Sequence, residues 1–470
     1  MRLLIAGGGG FRVPLIYRAL VSGPYSGLVT ELVLYDVDPA RLEAVTTVLR
    51  SMPAGKGARL PVHASTGLSA ALSGTAMVFA AIRPGGTAGR VADEKVAQDL
   101  GLLGQETTGA GGISFALRTI PHMLDLARLM RECCPDAWLI NFTNPAGMVT
   151  EALLRVLGNR VIGICDSAGG LVQRAAHAAG VPLPEGRLDG VGYYGLNHLG
   201  WLYRLESGGR DRLPALLADA GALQQFEEGR LFPQPFLARL GLLPNEYLYY
   251  YYQRDAARQA MQAMARPRGE SIHSQQQELY PRLAAAGQEA YRLWEEVRRS
   301  REEGYLAEAR GAGERRNEED LAGGGYERVA LAAMRALAAG GDTQLVLNTR
   351  NALTAPHPPP PRGANPAPLQ PAIPGLPADA VVELPCTVTP AGAVPLPQLA
   401  PSEPQLGLLR RVKEVERLTV QAATTGNRAA ALAAFTLHPL VDSADLAAKL
   451  MAGYEQAFPA LGKMWKGGER

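Results

Sequence analysis

Short apolar runs recur along the first two hundred residues, at Leu3–Ala6, Leu32–Tyr35, Met77–Ala81, Trp138–Ile140 and Val161–Ile164. Runs of this length without polar alternation fit strands buried on both faces. Between them lie stretches with apolar residues three and four apart, such as Val13–Val21 and Met123–Cys134, the spacing of helices with one buried face. Strand alternating with helix predicts a parallel, doubly wound sheet of the Rossmann type. From about Leu202 the pattern turns helical, at Leu213–Leu223, Glu246–Met264, Gln275–Arg299 and Val329–Ala338, with strands expected only at Gln344–Asn348 and Val381–Cys386. We therefore expect an α/β chain in two parts. Residues 1–201 form the dinucleotide-type sheet, and residues 202–470 form an α+β, mainly helical part that covers a cleft. The segment 355–377, with Pro358-Pro359-Pro360-Pro361 near its start, can form neither helix nor inner strand and is expected to be an exposed insertion.

In such sheets ligands gather beyond the carboxyl ends of the strands. The first strand runs into Gly7-Gly8-Gly9-Gly10-Phe11-Arg12 and then a helix. Glycines there let the backbone approach a pyrophosphate, whose charge the helix N-terminus meets. The second strand ends at Asp36, where a carboxylate holds the ribose hydroxyls of NAD and would repel the 2′-phosphate of NADP. Residues 7–12 and Asp36 are thus the candidate NAD site. Its motif is imperfect, because Arg12 replaces the last glycine of G-x-G-x-x-G, and an arginine there could equally contact a substrate anion.

Three further strand tips are polar and glycine-rich: Arg83–Glu94, Gly104–Gly112 and Asn141–Glu151, where Thr143 and Asn144 are expected to cap a helix beginning at Pro145. The run Val161–Ile164 ends in Cys165-Asp166, and Tyr193–Trp201 brings His198. A thiol, a carboxylate and an imidazole at one strand end could bind a metal and move a proton. A buried strand-end thiol and a satisfied core histidine would use the same residues, and spacing alone does not choose between them.

Composition narrows the classes. A net charge of +2 gives no electrostatic case for nucleic acid or an acidic membrane surface. No apolar run approaches the roughly 20 residues of a membrane span. The start leads straight into a strand and glycine loop rather than a signal peptide. Four scattered cysteines make no disulfide framework, so the expectation is a cytoplasmic protein with free thiols. The charge-dense stretch Glu295–Asp320 reads as a solvated helical face and loop.

The ordered series Gly104-Gln105-Glu106-Thr107, Asn141-Phe142-Thr143-Asn144-Pro145, Gly163-Ile164-Cys165-Asp166 and Gly195-Leu196-Asn197-His198 resembles family 4 of the glycoside hydrolases, from Met1 to about Phe458. That family is NAD- and Mn²⁺-dependent and departs from the two-carboxylate scheme of most glycosidases. The resemblance implies a lactate/malate dehydrogenase-like fold, a 6-phospho-glucoside substrate and a homo-oligomer, dimer or tetramer. It also implies a redox-assisted elimination: C3 oxidation, C2 deprotonation by a tyrosine, departure of the leaving group, addition of water and return of the hydride. By the same resemblance Cys165 and His198 are the protein ligands of Mn²⁺ or another divalent metal, and Tyr247 is the base. Its four tyrosine neighbours, at positions 249–252, read as core. Asp166 matches the general acid of the phospho-α-glucosidases. Arg90, Asn144 and Arg268 match substrate-binding positions. The form of Asn141–Glu151 is nearer the 6-phospho-β-glucosidases, whereas Asp166 points toward the α branch. The 6-phosphate pocket is left open, with Arg12 and the loop amides as candidates.

Two other classes stand beside this reading. A 2-hydroxyacid dehydrogenase on a similar sheet would accumulate NADH, whereas the glycosidase returns its hydride each turnover. A sugar-phosphate sensor would keep the fold but has no need of the Cys165 and His198 pair.

Overall fold

The computed structural model describes residues 1–53, 59–305, 309, 316, 325–353 and 369–468. Six parallel strands form its first part: β1 (Arg2–Ala6), β2 (Glu31–Tyr35), β3 (Val62–Ser65), β4 (Met77–Ala80), β5 (Trp138–Asn141) and β6 (Val161–Gly163). They lie in the order β3-β2-β1-β4-β5-β6, the Rossmann order. Their side chains alternate between two cores. Leu3, Ile5, Leu34, Phe79 and Ile140 join one, and Leu4, Ala6, Val33, Val78 and Leu139 join the other. Burial on both faces explains why these strands read as unbroken apolar runs. The edge strand β3 was not foreseen, because His63 and Ala64 at its centre are exposed and leave no apolar run.

The sheet does not stop at β6. A further set comprises β7 (Val191–Leu196), β8 (Leu199–Ser207), β9 (Arg210–Asp211), β10 (Leu243–Pro244), β11 (Thr343–Arg350), β12 (Val381–Thr389) and β13 (Gly392–Pro395). They extend the sheet antiparallel, in the order β6-β11-β12-β7-β8-β10, with β13 on β12 and β9 on β8. The division expected after Trp201 therefore falls inside β8, and one hydrogen-bonded sheet crosses it. The helical patterns of the second half form helices, and the two expected strands are β11 and β12. No described helix is long and apolar enough to cross a membrane.

Two other expectations change. Of the proline-rich segment, 355–368 lie outside the described residues. In the remainder Ala372, Ile373 and Leu376 are buried rather than exposed. Asn351 explains this: its amide donates to the carbonyls of Ile373 and Leu376 and its Oδ1 accepts from the Ile373 amide at 2.7 Å. The charge-dense stretch is only partly a solvated face. Its helix, Ala290–Glu303, buries Trp294, whose indole donates to the Phe11 carbonyl at 2.8 Å and so packs the helix against the glycine loop.

Gly163 sits where the sheet changes from parallel to antiparallel, paired with Asn141 on one side and Asn348 on the other. A Cβ there would lie 2.3 Å from Thr150 Oγ1 and 2.8 Å from Asn348 Cβ. Gly163→Ala is expected to destabilise the protein by about 1–3 kcal/mol through overpacking. Urea unfolding measures it, and an unchanged midpoint would show that the seam has slack.

Candidate active site

Cys165 follows β6 and is buried at the strand tip. His198 occupies the tight link between β7 and β8 with φ 63, the one positive φ outside glycine among the described residues. This left-handed conformation is uncommon for a side chain of that size. It turns the ring back so that Nε2 lies 3.5 Å from Cys165 Sγ, across 33 positions of sequence.

The tautomer of His198 follows from its neighbours. Gln105 Oε1 accepts from the Thr107 amide at 2.6 Å, the Thr108 amide at 2.7 Å and the Thr107 hydroxyl at 3.0 Å. With its proton committed to Gln105, the Thr107 oxygen accepts from His198 Nδ1–H at 3.1 Å. The Nε2 lone pair therefore faces the thiol. Burial also holds the imidazole pKa down to about 3, against a smaller opposing effect of Glu106, so the ring is neutral at physiological pH.

A neutral imidazole beside a sulfur is a metal-binding donor set. At 3.5 Å apart, Cys165 Sγ and His198 Nε2 are close enough that they would hold one divalent metal together. Among the described residues no further His, Cys, Asp or Glu makes a group of three with them. Burial first, then the charges of Glu383 and Asp166, raise the Cys165 thiol well above its usual value.

Tyr247 lies on a turn whose Asn245 Oδ1 accepts from the Tyr247 amide at 3.1 Å. Its ring stacks on His198, with centroids 3.7 Å apart and planes 4° from parallel. Its hydroxyl is 3.1 Å from that of Tyr305, which is 3.3 Å from Glu246 Oε1. A base needs a lowered pKa, yet the chain alone sets the opposite direction. Burial, then Glu246 and Cys165, push the phenol well above its usual value. A cation beside the ring must supply the reversal. Of the neighbouring tyrosines, Tyr249 and Tyr250 are buried and Tyr252 accepts from the Trp201 indole at 3.1 Å, as core residues would.

Arginines converge from the other side. Arg90 donates to Glu94 at 2.7 Å and pairs with Glu106 at 2.8 Å, while Arg83 takes the second Glu106 oxygen at 2.7 Å. Burial would raise the Glu106 pKa, but Arg83 and Arg90 overcome it and hold it at about 2. Arg268 opens the helix Arg268–Ala285 and donates to the Gly304 carbonyl. Arg301 lies over Phe11 at 4.4 Å. Burial, with Arg12, Arg268 and Arg90 close by, lowers the Arg301 pKa to about 9, and its Nη1 is buried with no hydrogen-bond partner among the described residues. The unpartnered Nη1 of Arg301 is a donor that an anion in this region could meet. Arg90, Glu106, Tyr247, Arg268 and Tyr305 line one cleft, which encloses about 510 Å³ and opens to solvent.

Asp166 begins the helix Ser167–Ala178 without capping it, and Arg12 reaches it at 3.8 Å. Asn144 and Thr143 do not cap the helix Ala146–Leu157 as expected. The cis Asn144-Pro145 peptide precedes that helix, and Thr143 Oγ1 accepts from the Ile82 amide at 3.0 Å. Asn144 Oδ1 is buried without a partner among the described residues, the mark of a group placed for a ligand.

In the glycine loop, a Cβ on Gly8 or Gly9 would fall 2.7 Å from Leu34 Cβ or Arg41 Cβ respectively, so these glycines are required by the chain's own packing. Asp36 Oδ2 accepts from the Gly9 amide at 3.0 Å and Oδ1 from the Asp38 amide at 3.1 Å. Each carboxylate oxygen keeps a lone pair for a ribose hydroxyl. Gly10 begins the approach to the helix Val13–Ser22. The loop can thus hold a dinucleotide as well as make a turn.

Sequence reasoning missed Arg301, Tyr305, Arg83 and the Thr107–Gln105 lock. Arg301 and Tyr305 lay in the stretch read as solvated. Arg301 falls seven residues after Trp294, two helical turns along the same face, and that spacing was the available signal.

A model of family 4 glycosyl hydrolases matches residues 2–181, and one of the family 4 glycosyl hydrolase C-terminal domain matches residues 193–441. A probable 6-phospho-beta-glucosidase of Bacillus subtilis (strain 168) is 28% identical over 462 residues, 96% of this chain and 95% of that protein. A 6-phospho-alpha-glucosidase of Leptotrichia buccalis is also 28% identical, over 470 residues and 96% of each chain. The solved 6-phospho-beta glucosidase from Thermotoga maritima with NAD and glucose-6-phosphate has a TM-score of 0.78 at 26% identity, covering 98% of this chain and 99% of that one.

Thr107→Val removes the acceptor that fixes the His198 tautomer and leaves Cys165 untouched. It is expected to weaken divalent metal binding about 10- to 100-fold. Titration with Mn²⁺ or Co²⁺ reads it directly, and an affinity equal to that of the unaltered protein would sink the tautomer argument.

Proposed function

The chain belongs to glycosyl hydrolase family 4, and from that premise we propose that it is an NAD- and divalent-metal-dependent 6-phospho-β-glucosidase. The observation that carries the reading is the joint placement of Cys165, His198 and Tyr247 beside a cleft that Arg90 and Arg268 also line. When bound, NAD takes up and returns a hydride at C3, and the divalent metal polarises the sugar oxygens beside it. Gly7–Arg12 and Asp36 would hold the NAD, and Cys165 with His198 would hold the metal.

The chain's own groups supply the rest. Tyr247 takes the C2 proton at its phenol oxygen, with Tyr305 fixing that oxygen at 3.1 Å. Arg90, locked between Glu94 and Glu106, is a fixed cation on the same cleft and favours the phenolate. Asn144 offers its unpartnered carbonyl oxygen to a sugar hydroxyl. Asp166, which follows Cys165 directly, is the candidate to protonate the departing oxygen at C1. Burial of Cys165, His198 and Tyr247 limits the access of water to these groups.

The 6-phosphate fits the arginine cluster. Arg301 and Arg268, with Arg12 at the rim, supply planar donors suited to a phosphate. Their grouped positive charge favours a phosphorylated sugar over a neutral one.

The anomer is decided by experiment. With Mn²⁺, NAD⁺ and a thiol reductant, the protein is expected to hydrolyse the β-linked nitrophenyl 6-phosphoglucoside in preference to the α-linked one. Faster turnover of the α-linked compound would transfer the assignment to the α branch, where Asp166 and the Leptotrichia relative point. Equal turnover of the unphosphorylated glucoside would sink the phosphate reading, and lasting NADH with a hydroxy acid would sink the glycosidase. Arg301→Gln is expected to raise KM for the phosphorylated substrate about 10- to 100-fold while leaving NAD affinity unchanged. An unaltered KM would remove Arg301 from the phosphate site.

A further inference from the structure

Glu383 stands in the middle of β12 and is 1% exposed. Its carboxylate accepts from three side chains: the Tyr193 hydroxyl at 3.1 Å, Asn197 Nδ2 at 3.1 Å and Asn348 Nδ2 at 3.0 Å. Two of these partners lead to the pair described above. Asn197 directly precedes His198 in the β7–β8 link. Asn348 stands opposite Gly163 in the β11–β6 pairing, two residues before Cys165. Glu383 itself is opposite Gly195 in the β12–β7 pairing, three residues before His198.

One carboxylate thus ties the strand end that delivers the thiol to the turn that delivers the imidazole. We propose that Glu383 is the positioning residue of the Cys165–His198 metal site, fixing the spacing of its two donors and placing a buried negative charge behind them. The inference rests on the metal-dependent reading above.

Three arguments support it. First, every partner of Glu383 can donate, which suits a carboxylate; a glutamine there would turn a donor toward one of the asparagine amides. Second, a buried carboxylate costs several kcal/mol unless its surroundings use the charge. A thiolate and a neutral imidazole cancel only one of a dication's two charges, and the Asn197 and Asn348 hydrogen bonds hold the Glu383 carboxylate behind the same pair. Third, His198 is held in a left-handed backbone conformation, and the Asn197–Glu383 bond anchors the residue just before it.

The test uses the full chain and its affinity for metal. Glu383→Gln, Glu383→Asp and Asn197→Ala are titrated with Mn²⁺ by calorimetry and with Co²⁺ through the thiolate-to-cobalt charge-transfer band. NAD binding and metal-free unfolding are measured alongside. The glutamine variant is expected to bind either metal about 10- to 100-fold more weakly, with NAD affinity within about twofold of the unaltered protein. The aspartate variant, which keeps the charge, recovers part of that loss. Asn197→Ala leaves the carboxylate two of its donors and is expected to weaken and shift the cobalt band, and it decides the matter where the glutamine variant does not fold. Unchanged metal affinity in either folded variant overturns the role of Glu383. Failure of the unaltered protein to bind metal through Cys165 overturns the functional reading itself.

Discussion

The structure depends on the seam at which a parallel sheet becomes antiparallel. β6 pairs with β5 in parallel and with β11 in antiparallel, through Gly163 in both cases. Had the sheet ended at β6, Cys165 would sit at an ordinary strand tip with only loops beyond it. Because β11, β12 and β7 follow in antiparallel order, the β7–β8 turn lies beside that tip, and His198 arrives there from 33 residues away. The spacing is tight enough that Gly163 has no room for a Cβ. Backbone pairing, rather than side-chain attraction, is what brings sulfur and nitrogen together.

Around that pair the charges are arranged in two territories. Arg12, Arg268 and Arg301 form a positive side whose members repel, and Arg301 is held at a lowered pKa because burial and the other arginines disfavour its charge. Arg90 faces the same cleft but is neutralised by Glu94 and Glu106, so it is a fixed support and not a free cation. The difference separates their roles. Arg90 is held in place by two carboxylates, whereas Arg301 keeps a buried Nη1 with no hydrogen-bond partner among the described residues.

Much of this was legible in the sequence. The Rossmann half follows from β1, β2, β4, β5 and β6, each an apolar run because both faces are covered. The exposed edge strand β3 lacks that signature. Cys165, His198, Tyr247, Arg90 and Arg268 were singled out through short motifs, and the structure places Tyr247, Arg90 and Arg268 on one cleft and Cys165 beside His198. The antiparallel extension was not legible, because pairing between β6, β11, β12 and β7 is a property of distant segments that leaves no local period. Arg301 and Glu383 were hidden for opposite reasons. Arg301 lay among so many charges that it read as solvated, and Glu383 is a single acidic residue in an apolar strand whose partners come from three other segments.

The anionic forms the chemistry needs are all disfavoured in the chain alone. Burial raises the Cys165 thiol and the charges of Glu383 and Asp166 add to it. Burial raises the Tyr247 phenol, and Glu246 and Cys165 add to that. Glu383 is itself lifted to about 7 by burial, against hydrogen bonds from Asn197, Asn348 and Tyr193. Glu383 opposes ionisation of the Cys165 thiol, and Cys165 in turn opposes that of the Tyr247 phenol. A dication held by Cys165 and His198 would favour the anionic forms, because each of these charges would attract it. The same repulsion that keeps the thiol and phenol protonated in its absence therefore becomes affinity in its presence. Binding must release protons, and affinity must rise with pH. The buried carboxylates that oppose activation before loading are the groups that make loading favourable.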